Sequence, residues 1–316
     1  MFCVSRILTV AAGSAAMTCV GGSVAVSGLL AGAPLFTTQA LRYALACLLL
    51  VVYARLVRFR LVRPRGAEWL WLGGIAITGL VVFNLALVEG AKHAEPAVIG
   101  VAIAGVPLLL AAIGPVLEGR SPRRSVLAGA AVVTVGAALV QGFGRTDGAG
   151  LAWAAVAFGC EAAFTLLAVP VLRRHGPVGV SVHTTWLAAL MLAVLGPLHE
   201  GPSAITRLTG TDLLAGAYLA VAVTAVAFVL WYACVSGIGA ARAGLLTGIA
   251  PIAAALTGVA LGGPAPQASV WLGIAVVATG LAIGLRATPP DRPGPTATIT
   301  GGPVPLLVGS TAGERA

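Results

Sequence analysis

Ten stretches of about twenty residues, almost free of charge, follow one another along this chain, at 7–30, 34–54, 69–89, 96–116, 125–143, 149–171, 177–197, 213–236, 241–261 and 268–286. A bilayer core about 30 Å thick takes roughly 20 helical residues to cross, so each stretch is long enough to span it. Turn-rich segments such as "AGAP", "GRSPRR", "RTDGAG", "RRHGP" and "LGGPAPQ" separate several of them. Composition agrees: 9% of the residues are charged and the mean hydropathy is +1.00, whereas soluble domains carry roughly 25% charged residues. Most of this surface must face lipid, and the 42 glycines suit helices that approach one another closely. The expected fold class is an all-α polytopic membrane protein with ten transmembrane helices. The apolar run Ile7–Leu30 exceeds a signal-peptide core and reads as the first span.

The net charge of +9 does not indicate a nucleic-acid partner, because the basic residues lie in short clusters between apolar runs and no nucleic-acid motif accompanies them. They read as orientation signals. With a cytoplasmic N-terminus, the inner loops hold Arg55, Arg58, Arg60, Arg63, Arg65, Arg120, Arg123, Arg124, Arg173, Arg174 and Arg242. The outer loops hold only Lys92, Arg145 and Arg207. A multi-pass protein of the cytoplasmic membrane is expected, with both termini cytoplasmic. The tail 287–316, rich in Pro, Gly and Thr, is expected to be disordered.

An internal repeat organises the spans. The segment "VPLLLAAIGPVLEGRSPRRSVLAGAAVVTVGAAL" (106–139) resembles "APIAAALTGVALGGPAPQASVWLGIAVVATGLAI" (250–283), with Pro107 and Pro251 in register 144 residues apart. Residues 1–147 and 148–286 are therefore expected to be two five-helix repeats. An odd number of spans inverts the second copy. Charge agrees, since each arginine-rich loop of one copy matches an arginine-poor loop of the other.

These features resemble the ten-helix drug/metabolite transporters with two EamA-type repeats. The resemblance is carried by "LRYALACLLL" in helix two, "AVIGVAIAGVPLLLAAIGPVLE" in helix four, "AGLLTGIAPIAAALTGVALG" in helix nine and the Gly-rich fifth and tenth helices, over roughly residues 7–286. It implies a carrier, often an exporter of amino acids, related metabolites or toxic compounds, working by alternating access around a central cavity. One departure is plain. Members commonly close helix nine with a Glu, as Glu118 closes helix four, and Gly262 stands there instead. Glu118 precedes Arg120, Arg123 and Arg124, so pairing with them at the inner surface is its expected role.

Glu161 is the main candidate for coupling. It lies near the middle of helix six, where a charge costs about 2.5–3.5 kcal/mol on insertion scales. Its own face offers Ala157, Phe158, Phe164 and Thr165, so a partner must come from another helix, water or a bound cation. Desolvation there favours the protonated carboxyl. The functional reading is a proton- or cation-coupling group; the alternative is a neutral Glu bonded to a neighbouring helix. Small multidrug-resistance proteins, a related branch, have an essential Glu in their first helix, and helix six opens the second repeat. Arg42 in helix two offers a bidentate donor to a substrate carboxylate, or else snorkels to the outer interface. His183 in helix seven either titrates with Glu161 or bonds a backbone carbonyl. Asn84 in helix three is a cavity group or an interhelical hydrogen bond. Trp231 and Tyr232 in helix eight are cavity aromatics or members of the interfacial belt. Glu95, before Pro96, is expected to cap helix four.

Enzyme chemistry is not expected: HExxH, GxSxG and P-loop patterns are absent, and the four histidines and five cysteines have no metal-ligand spacing. No cofactor or metal is expected. The reading is a secondary transporter, a proton-coupled exporter of a small amino-acid-like metabolite or a drug, with the small-molecule substrate, protons and the lipid bilayer as partners, acting as a monomer or homodimer. The alternatives are a proton-independent uptake system or facilitator, and a non-transporting membrane scaffold or sensor.

Overall fold

The computed structural model describes residues 2–30, 32–263 and 265–286. Among these, ten helices are long and apolar enough to cross a membrane. They are α1 (Arg6–Gly28), α2 (Leu35–Leu56), α3 (Glu68–Gly90), α4 (Pro96–Leu117), α5 (Arg124–Gln141), α6 (Gly148–Leu166), α7 (Val169–Glu200), α8 (Gly210–Ile238), α9 (Ala240–Ala260) and α10 (Ala268–Arg286). The tail 287–316 lies outside the described residues. The expected spans are all present, and one boundary needs correction. Helix six ends at Leu166 rather than Val171, and after a two-residue turn the chain resumes as helix at Val169. Pro170 is tolerated there because it falls in the first turn, where its missing N–H has no partner to lose. Arg173, Arg174 and His175 therefore ride on a short helical stretch. It ends at Gly176, whose φ of 64° breaks the path before Pro177 starts the crossing proper.

The two halves meet along α5 and α10, the most extensively packed pair of helices. Glycine makes this possible. A Cβ on Gly136 would lie 2.6 Å from the Val277 nitrogen and 2.9 Å from the Gly273 oxygen, and one on Gly280 would lie 2.8 Å from the Gly129 oxygen. The register of 144 that aligns Pro107 with Pro251 also carries Gly129 onto Gly273 and Gly136 onto Gly280. The contact of Gly129 with Gly280 thus becomes that of Gly273 with Gly136 when the halves exchange. A contact set that maps onto itself in this way is the signature of a two-fold relation between the halves.

The same register relates the irregularities of the spans. α3 carries a π-helical segment at Ala76–Val82, and α8 carries one at Leu219–Val226. α4 breaks at Gly105, and α9 passes through a 3-10 turn at Leu246–Gly248. Each of those breaks precedes the matched proline, which has no N–H to give the helix. Interrupted helices expose backbone polar groups only where protein or a cavity receives them.

The halves differ at their ends. At the arginine-rich end, the stretch Val106–Leu117 of α4 packs against Ala240–Leu245 of α9, and Ala227–Ile238 of α8 packs against α7. At the arginine-poor end, the matched stretches are far less packed: Pro96–Ala104 meets Ile249–Ala260 only around Ala104 and Ile252, and Phe83–Gly90 meets α2 chiefly through the Asn84–Tyr43 hydrogen bond. Six residues of Val106–Leu117 are buried, against one of Ile249–Ala260. These stretches are thus tightly packed at the arginine-rich end and loosely packed at the other.

Candidate functional site

The helix bearing Glu161 starts firmly. Asp147 is its N-cap, and the carboxylate accepts the Gly150 N–H at 2.8 Å. This bond, with His93 Nδ1 at 3.0 Å, holds the Asp147 carboxyl below its ordinary range. Glu161 itself is half-buried, and its carboxylate makes no hydrogen bond or ion pair among the described residues. The Tyr232 hydroxyl and the Cys160 thiol lie within electrostatic reach of it. One turn before it, Phe158 lies against Gly105, where α4 is broken. One turn after it, Phe164 fills the space left by Gly79 in the π segment of α3.

Behind Glu161, α8 supplies a buried aromatic wall. Trp231 and Tyr232 are 3% and 0% exposed, so neither belongs to an interfacial belt. The Trp231 indole N–H donates to Thr165 Oγ1 at 3.0 Å, and the Tyr232 hydroxyl donates to the Phe164 carbonyl at 3.3 Å. Phe164, Phe228 and Tyr232 stack with ring centroids 4.8 to 6.4 Å apart. Both site aromatics therefore position α6 rather than reach into open space.

Arg42 does not snorkel. Its Nε–H donates to Thr224 Oγ1 at 2.9 Å, one terminal nitrogen donates to Gln39 Oε1 at 3.2 Å, and the guanidinium lies 5.2 Å from the Tyr43 ring centre. Thr224 belongs to the π segment of α8, so the irregular turn delivers the acceptor. The Asn84 amide donates to the Tyr43 hydroxyl at 2.9 Å and to the Leu80 carbonyl at 2.7 Å. The interhelical bond foreseen for Asn84 is thus present. Tyr43, Leu80, Phe164 and Tyr232 belong to one packed core cluster, which Arg42 and Asn84 join through Tyr43.

His183 stands apart from Glu161. Its Nδ1 accepts the Trp186 indole N–H at 3.2 Å, so the proton sits on Nε2, which donates to the Val62 carbonyl at 2.9 Å. Its ring meets His175 edge-on at 5.3 Å. The register of 144 places His183 on Gln39 and Trp186 on Arg42, so the same i, i+3 polar pair recurs near opposite ends of the bundle. His183 thus makes the second bond foreseen for it, to a backbone carbonyl, at the arginine-rich end.

One loop acid departs from expectation, and a second keeps its foreseen arginine pair while gaining a further partner. Glu95 makes no side-chain cap to α4. It pairs with Arg145 Nε at 2.9 Å, and this hydrogen bond holds its carboxyl below the ordinary range. Glu118 lies 3.8 Å from Arg120, but its shorter bond, 2.9 Å, is accepted from the Ala240 N–H that opens α9. A backbone N–H across the bundle leaves no trace in composition, so this partner was not legible. Tyr43, Thr165 and Thr224 were also missed, being ordinary residues within apolar runs. Among the described residues no group of His, Cys, Asp and Glu has the arrangement of a metal site.

Comparison with known proteins agrees with this architecture. The chain is 25% identical over 278 residues to the "Uncharacterized transporter YetK" of Bacillus subtilis (strain 168), covering 85% of this chain and 84% of that one. A solved crystal structure superposes with a TM-score of 0.74 at 21% identity, covering 87% of this chain and 96% of the other, and shows the shared fold. The model of the EamA-like transporter family matches twice, at residues 7–141 and 148–286. The chain therefore belongs to the EamA-like transporter family and is a membrane transporter.

Proposed function

We propose that this transporter is a proton-coupled exporter of a small amino-acid-like metabolite or drug across the cytoplasmic membrane, with its arginine-rich end and both termini in the cytoplasm. The observation that carries this is Glu161: a carboxylate in the last third of the spanning helix Gly148–Leu166, half-buried and without hydrogen bond or ion pair among the described residues. Intramembrane acids are costly and mark ion or substrate pathways. A packing role would give it a partner, and the neighbouring Tyr232 hydroxyl and Trp231 N–H are already bonded elsewhere.

In the proposed cycle Glu161 takes up a proton when the site faces outward. It releases that proton inward as substrate binds, and rocking of the halves carries the substrate out. A cation competes directly for the carboxylate. A zwitterion uses Glu161 for its ammonium and Arg42 for its carboxylate. Proteoliposome flux of a panel of amino acids and organic cations, with and without a pH gradient, tests the reading. Accumulation against a solute gradient only when pH differs across the membrane supports exchange. Equal flux in both conditions supports the second reading, a proton-independent facilitator.

A further inference from the structure

We infer that Glu118 is the gate residue of the arginine-rich end, and that loss of its counterpart leaves the carrier resting open at the other end. This rests on alternating access by a transporter, but on neither proton coupling nor a particular substrate.

Glu118 ends α4, and its carboxylate accepts the N–H of Ala240, the first residue of α9. The site is shaped for it. Gly239 has a φ of 84°, a conformation suited to glycine, and a Cβ there would lie 3.0 Å from both carboxylate oxygens. Arg242, in the same first turn, lies within electrostatic reach of Glu118. The carboxylate also faces the free N–H groups at the start of α9, where negative charge is favoured. Just inward, Gly114 lets the helices touch: a Cβ on it would lie 3.0 Å from the Ala240 Cβ and 3.2 Å from the Ala241 nitrogen.

The register of 144 names the counterpart of each part at the opposite end. Glu118 maps to Gly262, which has no acceptor side chain. Ala240 maps to Pro96, which has no N–H. Gly114 maps to Gly258, where a Cβ would meet nothing within 4 Å. Acceptor, donor and close contact are thus all missing from one end of a two-fold arrangement and all present at the other. The helices follow: Val106–Leu117 packs extensively on Ala240–Leu245, while Ile249–Ala260 packs only weakly on Pro96–Ala104. The stretches are equivalent in the repeat, so their difference tracks the clasp, not the helices.

The test reads the openness of each end by thiol labelling of purified protein in lipid nanodiscs, where a water-soluble maleimide reaches both faces. In a chain whose five native cysteines are replaced by alanine, Gly258→Cys reports the open end. Ala111→Cys, at a position 0% exposed, reports the closed one. With Glu118 intact, Gly258→Cys labels fast and Ala111→Cys slowly. Glu118→Ala is expected to raise the Ala111→Cys rate about ten- to a hundredfold, matching the loss of one charge-assisted hydrogen bond, and to slow Gly258→Cys. Glu118→Gln, which keeps one acceptor oxygen, should fall between. The double change Pro96→Ala with Gly262→Glu rebuilds the clasp at the open end and should slow Gly258→Cys while Glu118 stays in place. Unchanged rates in Glu118→Ala, or faster labelling at both sites alike, would overturn the inference, and so would an unaltered Gly258→Cys rate in the double change.

Discussion

Glu68 and Arg174 join the two repeats at the arginine-rich end: one guanidinium nitrogen of Arg174 lies 2.6 and 2.7 Å from the two carboxylate oxygens of Glu68. His175 adds Nε2 at 3.2 Å, and Arg174 also donates to the Arg63 carbonyl. The start of α3 is thereby tied to the short first stretch of α7, before its break at Gly176. Glu68→Gln is expected to lower the melting temperature by a few degrees, on the order of what a small change in stability does to a domain of this size. Exchanging the pair, Glu68→Arg with Arg174→Glu, should recover part of that loss in a thermal-shift measurement. An exchange variant no more stable than the single change would show that the pair is not the tie.

The α5–α10 seam predicts equal sensitivity at mirror positions. Gly136→Ala and Gly280→Ala each force a methyl against backbone atoms, at 2.6 Å and 2.7 Å respectively. Overpacking of this kind costs about 1–3 kcal/mol. Both variants should lose monodispersity on detergent size-exclusion to a similar degree, whereas Gly258→Ala, with open space around it, should behave as the unaltered chain.

That seam also marks how far the sequence could be read. The ten spans were legible because twenty apolar residues in a row serve one purpose, and the repeat was legible because Pro107 and Pro251 anchor its register. The break after Leu166 was not. Apolar content says nothing about two residues of turn, and "LLAVPVL" reads as uninterrupted helix. The π segments were hidden for a related reason, since α- and π-helices draw on the same residues. Among the site residues, Asn84 and His183 each took up one of the roles foreseen for them. Trp231 and Tyr232 turned out to be interior, because a position near a helix end does not reveal which neighbour covers it.

The loops at the arginine-poor end predict a dependence on acid. Glu95 and Asp147 both have carboxyls held below the ordinary range, Glu95 by Arg145 and Asp147 first by the Gly150 N–H and then by His93. A lowered carboxyl contributes its stability in full at neutral pH and loses it as pH falls through the folded-state value. Acidification is therefore expected to loosen these loops, and raising the pH above neutral is not. Hydrogen exchange at the Glu95 and Asp147 amides, which donate to the Arg145 and His93 carbonyls, reads this directly. Faster opening of both amides at about pH 3 than at pH 7, after correction for intrinsic rates, is the expected result. Equal protection would contradict it.

Arg42 predicts selectivity. Arg42→Lys keeps the charge but cannot reach Thr224 and Gln39 with a planar fork. For a solute bearing a carboxylate, the concentration giving half-maximal transport should rise about tenfold, the size of one lost charge-assisted bond. A permeant amine without a carboxylate should be unaffected. A uniform loss for both solutes would assign Arg42 to structure alone.

The central claim is that Glu161 carries the coupling proton, and one comparison tests it most directly. The unaltered chain and Glu161→Gln are reconstituted side by side, and a transported solute is followed with a pH gradient imposed and then collapsed. Coupling through Glu161 predicts that the unaltered chain accumulates solute only while the gradient stands, and that Glu161→Gln gives no gradient-driven accumulation although it remains folded. Gradient-driven accumulation by Glu161→Gln at the level of the unaltered chain would contradict the account.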